Sequence, residues 1–269
     1  MRKEIQLNTR DGSIHYAVTG NGRPVMLLHG FGEDSDVWKY QIKALSPYYQ
    51  LILPDLPGSG LSPFHAGNGS MEQYAAQLIA ILDKENIEKL VLIGHSMGGY
   101  ITLAIASKYP EKLDAFGLFH STAYPDSTEK IATRQRGIEF IRTHGSKAFL
   151  QQSTPNLFSE NYRNKNVDII NGMITQYEGF EPEALIQYYD AMIARKDWTV
   201  VLRSFEKPVL FIIGKHDTAI PPEQMLQQSH LPQISYIHFL ENSCHMGMWE
   251  ETEKANDALK TFLDGVYIN

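Results

Sequence analysis

The chain has 269 residues, enough for one large α/β domain or a core with an inserted subdomain, and its 43% hydrophobic and 20% charged content excludes a disordered polymer. A net charge of −7 without a dense run of Lys and Arg argues against nucleic acid or an anionic membrane as partner, so a small-molecule substrate is expected. No apolar run is long enough to cross a bilayer, no apolar stretch follows the first basic residues as a secretion signal requires, and the lone Cys244 allows neither an intrachain disulfide nor a Cys-x-x-Cys metal site; the expectation is a cytoplasmic protein with no metal and no cofactor.

In chain order, EIQLN (4–8) and IHYAVTG (14–20) face one another across Asp11-Gly12, a hairpin signal. PVMLLHG (24–30) reads as a buried strand ending in His29-Gly30, and SDVWKYQIKALSP (35–47) as a helix stopped by Pro47. YQLILPDLPGSGLS (49–62) reads as a strand that breaks into a Pro/Gly turn. MEQYAAQLIAILDKENI (71–87) is an amphipathic helix with Ser70 at its N-cap. KLVLIG (89–94) is a strand, the sequence after Ser96 a helix closed by Pro110, and LDAFGLFH (113–120) another strand. Two more strands, KPVLFIIGKHD (207–217) and ISYIHFL (234–240), are each followed by helix-like sequence.

Strands alternating with helices predict an α/β fold, a mostly parallel central sheet flanked by helices. Runs such as VMLLH, LVLIG and VLFII are apolar throughout, as strands buried on both faces must be. The pattern changes from 121 to 205. STEKIATRQRGIEFIRTHGSKAFLQQ (127–152), SENYRNKNVDIINGMITQYEG (159–179) and PEALIQYYDAMIARKDW (182–198) read as helices with no strong strand between them. Residues 1–120 and 206–269 are therefore expected to form the core, and 121–205 a helical cap over the carboxyl ends of its strands.

GHSMGG (94–99) stands where a strand turns directly into a helix. Such a turn strains its central residue and leaves no room for side chains two places away, which glycine at 94 and 98 answers. It would lift Ser96 Oγ into the cleft and point the first N–H groups of the helix, Met97 included, toward a developing oxyanion. A serine hydroxyl needs a base, and the base an orienting acid. Asp217 lies just past one strand end and His245 in the loop after the last strand, giving the order nucleophile, acid, base. Singly, Asp217 reads as a turn residue and His245 as an unreactive helix start; Asp126 and Asp190 are rival acids, His216 and His238 rival bases. The Gly-rich loop HGFG (29–32) offers Phe31 N–H as a second oxyanion donor, with His29 holding the loop.

HGFG, DLPGSGLS, GHSMGG, GKHDTAIP and CHMGMWE, in this order, resemble the α/β-hydrolase superfamily, most of all its capped serine-esterase branch, over roughly residues 3–120 and 207–267. The resemblance implies Ser96 as nucleophile, His245 as base, Asp217 as acid, Phe31 and Met97 as oxyanion hole, and a structural turn at DLPGSGLS. It implies hydrolysis of small to medium carboxylic esters through an acyl-enzyme. Serine at the turn disfavours epoxide hydrolases and haloalkane dehalogenases, which carry Asp there. Carbon–carbon bond hydrolases, which often have Asn where this sequence has His95, and lyases such as hydroxynitrile lyases remain alternatives with the same triad. So does a non-enzymatic ligand receptor or signalling protein on this fold. Lys215, beside the acid, reads as a surface charge.

The 121–205 segment is rich in large apolar residues: Phe140, Phe149, Leu157, Phe158, Tyr162, Tyr177, Phe180, Tyr188, Tyr189, Met192 and Trp198. Most are expected to form its own core and the rest to roof the cleft, where Trp38 and His120 are expected to join Phe31 and Met97 in the pocket. Arg134 and Arg136, spaced from Ile131 and Ile138, are expected to face solvent, so no anionic substrate is expected.

Overall fold

The computed structural model describes residues 2–67 and 69–267; Met1, Asn68, Ile268 and Asn269, the outer bounds of the expected core among them, lie outside the described residues. Within the described residues, eight strands form one sheet: β1 (Lys3–Thr9), β2 (Gly12–Thr19), β3 (Arg23–Leu28), β4 (Tyr49–Asp55), β5 (Leu90–His95), β6 (Leu113–Phe119), β7 (Val209–Gly214) and β8 (Ser235–Leu240). Their order is β1-β2-β4-β3-β5-β6-β7-β8. β2 runs against its neighbours, paired antiparallel with β1 and β4; the other pairs are parallel. β5 and β7 are buried at every residue, which is why they lack polar alternation. At the hairpin Thr9 pairs with Gly12, whose φ of +117° a side chain would resist.

Core helices α1 (Lys39–Leu45), α2 (Met71–Lys84) and α3 (Met97–Lys108) follow β3, β4 and β5. Ser70 caps α2 by accepting from Gln73 N–H at 3.2 Å. Between β6 and β7 the polypeptide is helical: α4 (Thr128–Ser153), α5 (Glu160–Lys165), α6 (Val167–Tyr177), α7 (Pro182–Ile193) and α8 (Thr199–Ser204). After β7 come α9 (Pro222–Ser229) and, after β8, α10 (Gly247–Glu250) and α11 (Thr252–Tyr267).

The helical insertion departs from the sequence expectation in detail. Residues 159–179 form two helices because Asn166 stops the first: its N–H and Nδ2 both donate to Tyr162 C=O at 2.9 Å. α4 is kinked at Gly145, where φ is +80°. α7 ends at Ile193, and Arg195 turns inward to donate to the carbonyls of Met192 (2.8 Å) and Tyr124 (3.0 Å). α8 was not expected; Asp197 starts it by accepting from Thr199 N–H at 2.8 Å.

The insertion is tied to the core by Tyr188 Oη donating to Pro57 C=O at 2.7 Å and Tyr177 Oη donating to Asp34 at 3.1 Å. Below it, Trp38 is completely buried, edge-on to the rings of His95 (6.3 Å) and Phe119 (5.4 Å). The expectation that Trp38 lines the pocket is thus corrected: its ring is core packing, screened from the cleft. Trp38→Ala should therefore lower the unfolding free energy by about 3–5 kcal/mol in urea titrations. A loss below about 1 kcal/mol would mean that the ring is not packed as described.

Candidate active site

β5 passes into α3 through one residue, Ser96, at φ +50° and ψ −115°, a conformation that costs about 1–3 kcal/mol for a side-chain-bearing residue. The surroundings enforce it. Ser96 N–H donates to Phe119 C=O at 3.0 Å, and its own C=O accepts from Gly99 N–H at 2.9 Å and Ser121 Oγ at 2.8 Å. A Cβ on Gly94 would strike the backbone of Gly98, one on Gly98 would lie 2.6 Å from the carbonyl oxygens of Leu28 and His29, and one on Gly99 would strike Ser121. The glycines are there for close backbone approach at a strained turn.

Ser96 and His245 both line a cavity of about 170 Å³ at the carboxyl end of the sheet. No hydrogen bond joins them among those of the described residues; such contacts commonly close only when substrate is bound. His245 Nδ1 donates to Asp217 Oδ2 at 2.7 Å, and the loop carrying it is fixed by its N–H, which donates to Leu157 C=O at 2.9 Å. Asp217 Oδ1 accepts from the N–H groups of Ala219 (2.8 Å) and Ile220 (2.9 Å). Burial alone would raise the Asp217 carboxyl, but the charge of His245 and hydrogen bonds from His120 and His245 outweigh it and hold the group ionised far below the ordinary range.

His120 is not in the cavity wall, which corrects the sequence expectation for it. It is fully buried behind Asp217, with Nδ1 3.2 Å from Oδ2 and Nε2 accepting from Gly247 N–H at 3.2 Å. Burial lowers its pKa to about 4, so the ring is neutral at pH 7, and its Nδ1 lies between Asp217 Oδ2 and the Gly214 N–H, 3.1 Å away. Nitrogen and oxygen atoms of His120, Asp217 and His245 lie within 4.8 Å of one another, close enough to suggest a metal site. The 2.7 Å contact is hydrogen-bond length, however, and tighter than two ligands of a tetrahedral ion with bonds of ~2.0–2.1 Å. Among the rivals, His216 and Asp190 are exposed, His238 is on the edge strand β8, and Lys215 pairs on the surface with Glu241 at 2.6 Å.

Sequence reasoning missed a second buried network. Glu33 Oε2 accepts from Gly30 N–H at 2.7 Å and from His95 Nδ1 at 2.9 Å, and His95 Nε2 donates to the backbone carbonyl of His245 at 3.0 Å. Both side chains are almost wholly buried. Burial opposes their charges, yet the pair's mutual attraction wins: His95 is raised and Glu33 lowered. The available signal was two titratable residues flanking the Gly-rich loop and the serine. The same loop leaves Phe31 N–H, and the start of α3 leaves Met97 N–H, without an acceptor among the described residues. Met97 can contribute only its backbone, since its side chain is buried away from the cavity. His29 holds the loop as expected, its Nε2 accepting from Leu56 N–H at 2.9 Å.

Over the cavity, Phe149, Leu157, Tyr177, Tyr189 and Met192 form the roof, and Phe31 stacks on Tyr189 with centroids 4.3 Å apart. Phe140, Phe158, Tyr162, Phe180, Tyr188 and Trp198 are not in its wall. One side is polar: Lys130 and Arg134 line it, whereas Arg136 is exposed. The expectation that Arg134 faces solvent is overturned, because its guanidinium turns in to Asp126 (Nε to Oδ2, 2.6 Å). Asp126 is thereby committed to Arg134 and to Arg195 (2.8 Å), and does not contact His245.

The sequence profile of the family described as alpha/beta hydrolase fold matches residues 23–137 and 125–252. The protein is 27% identical over 270 residues to the (E)-2-((N-methylformamido)methylene)succinate hydrolase of Acinetobacter baylyi, covering 97% of this sequence and 98% of that one. It is 25% identical over 276 residues to a 2-hydroxy-6-oxononadienedioate/2-hydroxy-6-oxononatrienedioate hydrolase of Paraburkholderia phymatum, covering 93% and 90% of the two sequences. Among solved structures it is similar to a thermophilic esterase from Thermogutta terrifontis with malate bound, at TM-score 0.91 and 30% identity over 99% of both proteins. No helix among the described residues is long and apolar enough to cross a membrane.

The buried pair makes a pH prediction. His95 is raised, so its contribution is complete below the unfolded imidazole value of ~6.5 and is lost as pH climbs to the folded value. Glu33 is lowered, so its contribution is complete above ~4.3 and is lost as pH falls to the folded value. The difference in unfolding free energy between wild type and Glu33→Gln should be greatest between about pH 4.3 and 6.5 and shrink on either side. Urea titrations across that range check it; a difference independent of pH would show that the pair is not ionised.

Proposed function

The chain belongs to the α/β-hydrolase family, and from that premise we propose that it cleaves small to medium carboxylic esters through an acyl-enzyme on Ser96. One observation carries the reading: a serine held at positive φ between a strand and a helix opens into the same cavity as a histidine whose other nitrogen is bound to a buried, ionised carboxylate. In this mechanism His245 takes the hydroxyl proton as Ser96 attacks the carbonyl, and Asp217 fixes the ring and stabilises the imidazolium. Phe31 and Met97 N–H hold the oxyanion. His245 then protonates the departing alkoxide and, after water enters, activates it to release the acid. Residues 121–205 act as a cap that closes the cavity.

A second reading, carbon–carbon bond hydrolysis with the same triad, is supported by the likeness to the Paraburkholderia enzyme. Product analysis on esters and on β-diketones separates the two. A receptor without catalysis is the third; reaction of Ser96 with a fluorophosphonate together with ester turnover would oppose it.

Ser96→Ala should fold normally and lose roughly 10⁴–10⁶ in kcat, measured with 4-nitrophenyl butyrate. More than a tenth of wild-type activity in the purified variant would remove Ser96 from the role of nucleophile.

Acyl length gives an independent check. An apolar cavity of about 150 Å³ accepts benzene, and the volume here is close to that, about 170 Å³. Rates on 4-nitrophenyl esters should climb with each buried methylene, worth about 0.8 kcal/mol, until the roof is met, then fall. The acetate-to-hexanoate esters should exceed decanoate by about tenfold or more in kcat/KM, a difference of ~1.4 kcal/mol. A steady climb to palmitate would show an open groove in place of a capped pocket.

A further inference from the structure

We propose that the substrate carries a carboxylate besides the group that reacts, and that Lys130 and Arg134 bind it. The proposal rests on the hydrolase reading for its chemistry but concerns only what the cavity recognises.

Lys130 and Arg134 lie one turn apart on α4, so both side chains reach the same wall of the cavity. Lys130 forms no ion pair among the described residues. Its Nζ donates once, to Ala219 C=O at 2.9 Å, leaving two of its three donors uncommitted. Arg134 gives Nε (2.6 Å) and Nη2 (3.3 Å) to Asp126, while Nη1 has no partner among the described residues. Asp126 must also neutralise Arg195, 2.8 Å away, so one carboxylate serves two guanidiniums.

The charge balance at this wall of the cavity is therefore uneven. Glu33 and His95 cancel one another, whichever side the proton is on. At the wall formed by α4, Lys130, Arg134 and Arg195 stand against Asp126, while Asp217 pairs with His245 and Asp34 accepts from Tyr177 Oη. Asp217 is itself enclosed behind His245 and His120 and does not line the cavity. The surplus positive charge thus sits at the wall, on the side where donors are uncommitted. Partial burial lowers the Lys130 pKa, and a half-buried cation without a partner carries a desolvation cost. An incoming carboxylate would neutralise that charge and accept charge-assisted hydrogen bonds from both side chains. The rest of the roof, Phe149, Leu157, Tyr189 and Met192, is apolar or aromatic and suits a short hydrocarbon linker between the carboxylate and the reacting carbonyl.

A purely structural role for Lys130, fastening α4 to the turn that holds Asp217, makes a different prediction, so binding is the readout. Titration calorimetry of the wild-type protein with glutarate and with its uncharged diamide, glutaramide, requires no turnover. Failure of ester hydrolysis, which would defeat the proposed function, leaves this measurement intact. Glutarate should bind about tenfold or more tightly than glutaramide, equivalent to ~1.4 kcal/mol. Lys130→Met should abolish most of that preference, and Lys130→Arg should keep it. Equal binding of the two compounds by the wild type, including none detectable of either, overturns the proposal. So does a preference that survives in Lys130→Met, which would leave Lys130 as a fastener alone.

Discussion

A single buried ion pair, Glu33 with His95, connects the three loops on which the candidate site depends. Glu33 Oε2 receives Gly30 N–H from the loop bearing Phe31, and His95 immediately precedes Ser96. The far nitrogen of His95 reaches the backbone of His245 itself, at 3.0 Å. Removing two ions from water costs several kcal/mol per ion before their attraction is counted. A pair of apolar residues could fill the same volume more cheaply, but could not hold a peptide N–H on one side and a peptide carbonyl on the other. The pair's effect is positional: with its two hydrogen bonds satisfied at each end, the loops cannot shift independently.

Backbone strain at Ser96 is maintained by the same surroundings. The turn is held by hydrogen bonds from β6 and its following loop, and by glycines that let α3 press against the ends of β3 and β5. His120, at φ +48°, is a second left-handed residue just past a strand end, and it delivers its ring under Asp217. Ser96 and the support of Asp217 are thus both produced by sharp exits from adjacent central strands, β5 and β6, which places these polar groups together at the carboxyl end of the sheet.

This explains what could be read from the sequence. The sheet was legible because strands buried on both faces must be apolar throughout, and the serine turn because only glycine tolerates its crowding. Asp217 and His245 were legible as residues just past strand ends, where a parallel sheet gathers its loops. Trp38 and His120 were misplaced because their position follows from layering: each lies close to Ser96 in space but one layer too deep. Arg134 was misplaced for another reason. Helical spacing from Ile131 and Ile138 suggested a solvent-facing residue, but the spacing cannot reveal that Asp126, eight residues earlier, would be buried and draw the guanidinium inward. Glu33 and His95 stayed hidden because their partnership spans 62 residues and no local pattern announces it.

The two halves of the cavity follow different electrostatic rules. On the sheet side, the ionisable groups are matched within their own networks: Glu33 by His95, Asp217 by two imidazoles. Such a site is preorganised, since its dipoles are fixed before any substrate arrives and little reorganisation is needed when charge develops. On the helical side the matching is incomplete, with Lys130 lacking a carboxylate among the described residues and Asp126 shared between two arginines. An unmatched charge contributes little to a rigid fold, but it makes the free cavity selective for whatever completes it. The division follows from connectivity. The sheet loops are constrained by each other and by the strained turn, so substitutions there disturb the geometry around Ser96. The insertion contacts them through tyrosine hydroxyls, the Phe31–Tyr189 stack, the Lys130–Ala219 bond and the Leu157 carbonyl that accepts from His245 N–H. Its polar wall can therefore change to suit a different substrate while the groups around Ser96 stay where they are.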